Sequence, residues 1–287
     1  MDDFLELKLR SEKIREWIIR MVVRAGKGHV TPAFSITDIL VALYFDILRI
    51  NPSDPGWEGR DRFVLSKGHG CLALYAVLAE RGFFPTGVLG SFSQAGSPLG
   101  GHPDRSRCPG IDVSTGSLGH GLSIGAGMAW AGKFDSMDYH VVVLMGDGET
   151  DEGSIWEAAM FASHKGLDNL IGIVDRNRLQ MTDATEKVLS LEPLFDRWHS
   201  FGWSVHEIDG HDFRQIEDSL NLAFSCHHGK PHLILAHTLK GKGVSFMENR
   251  PEWHMQIPNK DETARALEEI ANRIDALRRS SHVADED

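Results

Sequence analysis

Val141-Val142-Val143-Leu144-Met145-Gly146-Asp147-Gly148 decides the fold, because an apolar run ends on two glycines that bracket one carboxylate. After Glu152-Gly153 the sequence turns helical over 154–165, and a second apolar run occupies 170–174. Strand, helix and strand in that order make a β-α-β unit, which predicts a parallel pair starting from a strand over 140–145. The alternation continues with a helix over 191–201, a strand over 203–208, a helix over 213–225 and a strand over 231–237. The chain therefore reads as an α/β protein, a doubly wound parallel sheet with helices on both faces.

Upstream, apolar residues recur at a helical period over 4–25, with Gly26 as the stop. A second helix is predicted over 36–48, with Ser35 or Thr37 as its cap, a third over 71–80 and a fourth over 118–131. Between them, 83–117 is rich in Gly, Pro and Ser and has no period, the mark of a functional or disordered segment. A charged helix is expected over 261–279, followed by an acidic tail over 280–287 that should be disordered. No repeat or linker divides the chain, so 1–279 is expected to form one domain.

The 287 residues and 41% apolar content suffice for an ordinary core. A net charge of -11 disfavours a general nucleic-acid binder, so any phosphate must sit in a local, built site. Cys71, Cys108 and Cys226 lie at no metal-ligand spacing and suggest no disulfide framework. No run approaches the roughly 18 apolar residues of a membrane span, and no signal-peptide order opens the chain. A cytoplasmic protein with no membrane partner is the expectation.

Ligands of an open parallel sheet bind at the carboxyl ends of its strands, where Gly146-Asp147-Gly148 would lie. Glycine lets backbone N–H groups approach phosphate, but a carboxylate there repels a diphosphate unless a cation lies between. Thirty residues on, at the end of the next strand, stands Asn177. One carboxylate and one amide oxygen, completed by diphosphate, a main-chain carbonyl and water, suit octahedral Mg²⁺. Taken singly, each feature reads equally well as a strand-to-helix turn or a loop cap. Their occurrence at consecutive strand ends favours a metal-diphosphate site.

At these residues the chain resembles the thiamine-diphosphate family, and most of all the N-terminal part of transketolase. The resemblance runs from about Arg10 to about Ala266. It passes through Gly28-His29, Ser66-Lys67-Gly68-His69-Gly70, Gly101-His102-Pro103 and Thr115-Gly116-Ser117-Leu118-Gly119, then Gly146-Asp147-Gly148 with Glu152-Gly153. It implies a pyrophosphate-binding domain that takes thiamine diphosphate and Mg²⁺, with Ca²⁺ or Mn²⁺ as substitutes. By that resemblance Asp147, Asn177 and the Leu179 carbonyl would hold the metal. Gly148 would donate to the diphosphate, and Gly116 and Leu118 would contact the cofactor. His69 and His254 would face the diphosphate, His29 and His254 would handle substrate hydroxyl protons, and His102 would bind the donor near its carbonyl. Glu152, grouped with the cofactor-binding set, resembles a residue of the network that joins paired cofactor sites across subunits; otherwise it is a carboxylate favourably placed at a helix N-terminus.

The chain also departs from the family. His120 replaces the usual Gln after Leu118-Gly119, and Val30-Thr31 replace the Pro-Gly that follows Gly28-His29. Arg176 and Arg178 flank Asn177, where two cations could either supplement diphosphate binding or pair with acids. The pyrimidine-binding and third domains of a complete transketolase do not follow, and 238–249 with Trp253-His254 is particularly similar to split forms. The resemblance thus implies the first subunit of a two-chain transketolase. A separate C-terminal subunit would carry the pyrimidine-binding domain, the pair would form a heterotetramer, and sugars, phosphorylated ones foremost, would be the substrates. The alternatives are an α-type subunit of a thiamine-diphosphate 2-oxo acid dehydrogenase and a non-catalytic scaffold homologue.

Overall fold

The computed structural model describes residues 4–284. Five strands, β1 (Arg62–Leu65), β2 (Val141–Gly146), β3 (Leu170–Arg176), β4 (Ser204–Asp209) and β5 (His232–His237), form one sheet in the order β1-β2-β3-β5-β4. All four pairings are parallel, as the β-α-β reading requires. The register sets Gly146 opposite Asp175, which brings Asp147 and Asn177 out at neighbouring strand ends.

The helices are α1 (Leu5–Ala25), α2 (Val30–Ser35), α3 (Thr37–Ala42), α4 (Cys71–Arg81), α5 (Gly121–Phe134), α6 (Gly153–His164), α7 (Thr185–Val188), α8 (Leu194–Ser200), α9 (Phe213–Ser225) and α10 (Lys260–Ala284). They bury both faces of the sheet. Val142, Leu144, Ile171 and Ile173 pack in one core with α1 to α4, α9 and α10. The alternate residues Val141, Val143, Met145 and Val174 pack with α5, α6 and α8 in another. Because strand side chains alternate in direction, one apolar run can line two cores, which is why these strands read as unbroken rather than alternating.

Several expectations change. β1 was not legible in the sequence, since four residues give no period, yet it is the edge strand that aims Ser66-Lys67-Gly68-His69. The helix expected over 36–48 is two pieces, α3 and a wider π turn at Leu43–Ile47, and a separate helix, α2, precedes them with Ile36 as the break. Helix begins at Val30 because Pro32 falls in the first turn, where its missing N–H costs nothing. The helix expected from 118 starts at Gly121, which leaves the stretch before it as loop. At the far end α10 continues to Ala284, so the tail expected to be disordered from 280 is helical that far. Residues 285–287 of that tail lie outside the described residues.

Candidate active site

The C-terminal ends of four strands deliver the site: β1 leads to Lys67 and His69, β2 to Asp147, β3 to Asn177 and β5 to Lys240. Asp147 is almost fully buried. Its Oδ1 accepts from the Gly148 N–H at 2.8 Å, and its Oδ2 accepts from the Arg178 N–H at 2.6 Å and from Arg176 Nη1 at 3.2 Å. Burial, then the neighbouring Asp175, pushes its carboxyl up, against these donors. The alternatives for Arg176 are decided in favour of pairing with acids. Its guanidinium also holds Glu186 at 3.1 Å, Glu192 at 2.7 Å and Thr185 at 2.8 Å.

Asn177 is oriented by Asp175, whose Oδ2 accepts from Asn177 Nδ2 at 3.0 Å. The same buried carboxylate takes Ser35 Oγ at 2.7 Å and bonds the Lys67 ammonium and the Thr238 hydroxyl. With Nδ2 committed, Asn177 Oδ1 faces the Leu179 N–H at 3.1 Å. The Leu179 carbonyl, together with that of Gln180, accepts from Lys240 Nζ at 3.0 and 2.9 Å. Burial, then Lys67, brings the Lys240 ammonium down to about 8, although Asp147 and Asp175 oppose the shift. Lys240 is a site residue that the sequence reading does not single out; the available signal is a lysine three residues past an apolar strand.

Four histidines widely separated in sequence meet here. The His29 ring lies 5.5 Å from His69, 5.3 Å from His254 and 6.3 Å from His102, centroid to centroid, and His69 lies 5.5 Å from His254. His29 sits where the chain enters α2, and Trp253 anchors the short turn that carries His254 in the core. Burial, with the crowding of Lys67, Lys240 and the other rings, pushes His69 well below the usual imidazole value and His254 to about 3. His29 and His102 are lowered as well, both chiefly by burial. Near neutral pH these rings are therefore uncharged.

Gly116 and Leu118 lie on the loop before α5, and Gly116 has φ +149. A Cβ on Gly116 would stand 3.1 Å from the His102 ring, so glycine lets this loop close against it. A residue missed in the sequence organises the loop. Glu149, buried, bonds the Ser66 hydroxyl and accepts from the N–H groups of Gly119 at 2.9 Å and Gly146 at 3.1 Å. Glu152 is exposed at the start of α6, with its Cβ beside Gly119, and makes no hydrogen bond into the histidine cluster among the described residues. His120 is exposed too, its Nδ1 3.1 Å from the Leu118 carbonyl.

The residues fit a cation-bridged diphosphate. Carboxylate, amide and carbonyl oxygens gather at two strand ends, and the two main-chain carbonyls already attract an ammonium. Beside them His254 Nδ1 is buried without a partner, a polar atom that a ligand can satisfy.

Comparison with known proteins fits this geometry. Residues 8–272 match the family model described as transketolase, thiamine diphosphate binding domain. The chain is 46% identical over 276 residues to an apulose-4-phosphate transketolase subunit of Phocaeicola vulgatus, covering 96% of this chain and 98% of that protein. It is 45% identical over 250 residues to a 6-deoxy-6-sulfo-D-fructose transketolase subunit of Clostridium sp., covering 87% and 90%. The transketolase structure from Leishmania mexicana superposes with a TM-score of 0.84 at 26% identity; the match covers all of this chain but only 46% of that one.

Proposed function

The chain belongs to the transketolase family as its thiamine-diphosphate-binding domain, and from that premise we propose that it is the N-terminal subunit of a two-chain, Mg²⁺-dependent transketolase. The observation that carries the reading is the meeting of His29, His69, His102 and His254 around Lys67 and Lys240, the lysines that bond Asp175 and the Leu179 carbonyl. Asp147, Asn177 and the Leu179 carbonyl would hold the metal, and the Lys240 ammonium, which bonds that carbonyl in the unliganded chain, would turn with the Gly148 N–H to the diphosphate. When bound, the cofactor supplies the nucleophilic carbon that cleaves a ketose next to its carbonyl.

The chain's own share is positioning and proton transfer. Neutral His29 and His254 can take a proton from a substrate hydroxyl and return it, and half-exposed His102 can donate to the donor sugar near its carbonyl. Their low proton affinity keeps them from standing as cations beside Lys67 and Lys240. Two relatives are each named for a sugar with an anionic substituent, one phosphate and one sulfo. The substrate class proposed here is therefore a ketose bearing a terminal anion.

Two relatives that this chain covers by 98% and 90% are each named as a transketolase subunit, which supports a second chain carrying the pyrimidine-binding part. An apolar face supports such a partner. Ile124, Trp130 and Phe134 on α5 and Met160 on α6 are exposed, Phe134 by 82%. A heterotetramer in the cytoplasm is the proposed assembly. No helix among the described residues is long and apolar enough to cross a membrane. The 2-oxo acid dehydrogenase alternative is weaker, because it leaves the His69 and His102 motifs unused.

The test is calorimetric titration of thiamine diphosphate with Mg²⁺, followed by a ketol-transfer assay with the partner subunit. Saturable binding that Asp147→Asn weakens by on the order of 100-fold is expected. A wild-type chain that binds no cofactor in complex with its partner would sink the reading.

A further inference from the structure

A second set of buried charges lies between α1, α3 and the segment after β5. Arg15 donates from Nη2 to Asp38 at 2.6 Å, from Nη1 to Glu12 at 3.1 Å and from Nε to the Lys242 carbonyl at 3.1 Å. Asp38 also lies 2.7 Å from His211 Nδ1. The other ring nitrogen of His211, Nε2, lies 2.9 Å from the Leu239 backbone nitrogen. A backbone N–H can only donate, so Nε2 is the bare nitrogen, and Nδ1 therefore carries the ring proton and donates to Asp38. Against the upward push of burial, Arg15 and then His211 hold the Asp38 carboxyl far below its usual range, which keeps it an acceptor.

One imidazole, with both nitrogens committed, thus ties α3 to the residue before Lys240. Neighbouring anchors hold the segment on either side: Thr238 bonds Asp175, and the Gly241 N–H reaches the Thr31 carbonyl at 3.3 Å. Between these two, the Leu239 N–H is held by His211. We propose that His211 is a positioning residue: it fixes residues 238–241 and so places the Lys240 ammonium on the Leu179 and Gln180 carbonyls. Its consequence for the cofactor rests on the transketolase reading, whereas the clamp itself does not.

Amide hydrogen exchange of residues 238–243 in the full chain tests the clamp, in wild type and in His211→Gln, His211→Asn and His211→Leu. Glutamine carries an amide N–H and a carbonyl oxygen one carbon apart, as the imidazole nitrogens are, and can serve both partners. Asparagine is too short to span them, and leucine has neither group. Exchange at Leu239 and Lys240 should accelerate about tenfold or more in His211→Asn and His211→Leu, and stay near wild type in His211→Gln. Peptides of α4 and β2 should not change, which shows that the variants are folded; should His211→Leu unfold, His211→Asn makes the same comparison. With the partner and Mg²⁺ present, the affinity for thiamine diphosphate should fall about tenfold in the two loosened variants, with kcat at saturating cofactor little changed.

Wild-type exchange in both His211→Asn and His211→Leu overturns the proposal. So does accelerated exchange with unchanged cofactor affinity, since the clamp would then not serve the site. Failure of the wild type to bind cofactor would count against the transketolase reading alone, because the exchange data judge the clamp without it.

Discussion

Arg176 Nη1 stands 3.2 Å from Asp147 Oδ2, and both side chains are almost wholly buried. A guanidinium therefore neutralises the carboxylate that the proposed function assigns to the metal. Removing it in Arg176→Met strands Asp147 as an uncompensated buried charge, and a cost of ~3 kcal/mol follows. Glu186 and Glu192 are 40% and 46% exposed and add little, because water screens them. Urea unfolding without metal should show the loss, and Mg²⁺ with thiamine diphosphate should restore much of it by supplying a cation at Asp147. Equal stability of the variant and the wild type would remove Arg176 from this role.

Glu149 gathers Ser66, Gly119 and Gly146 on one buried carboxylate. In Glu149→Gln an amide N–H must face one of these donors, which leaves a buried group unsatisfied at a cost of ~2 kcal/mol. Chemical denaturation should register that cost. Cofactor titration should show weaker binding, since the three segments tied together carry Lys67, Leu118 and Gly148.

The histidine cluster makes stability depend on pH. The folded proton affinity of His254 lies at about 3, against an ordinary 6.5, because burial, then Lys240 and His29, disfavour the cation. The folded state thus binds fewer protons than the unfolded chain. This contribution is complete above about pH 6.5 and is lost progressively as the pH falls toward 3. His254→Asn should lose less stability than wild type between about pH 7.5 and about pH 4.5 in paired urea titrations. Parallel declines in the two proteins would show that His254 is not the source.

Phe134 and Met160 protrude from α5 and α6, exposed by 82% and 54%. Phe134→Ser with Met160→Ser should leave the melting temperature of the isolated chain nearly unchanged, as surface substitutions do. Affinity for the partner subunit, followed by light scattering or native mass spectrometry, should fall at least about tenfold. Undiminished pairing would place the interface elsewhere.

The alternation of apolar runs with helical periods made the parallel sheet legible, because β2, β3 and β5 lie in the interior, where most positions are apolar. β1 stayed hidden: it has four residues, and pairing with β2, rather than its own pattern, makes it a strand. Asp147 and Asn177 could be singled out because local chain chemistry places them, a carboxylate and an amide immediately after apolar strands. Lys240, Glu149 and His211 could not, because their roles consist chiefly of bonds to residues 28 to 173 positions away.

The four histidines worth watching came from the family resemblance, whereas the sequence by itself determined the order of β2 to β5 with their main helices and the strand ends at which oxygen donors emerge. Those follow from local periodicity and from residue types whose chemistry needs no partner. Only the tertiary structure decided that Arg176 serves the acids, that Lys240 faces the Leu179 carbonyl and that the four imidazoles form one cluster with lowered proton affinity. Such properties arise when charges from distant segments are buried together and must neutralise one another, a balance that no stretch of sequence contains.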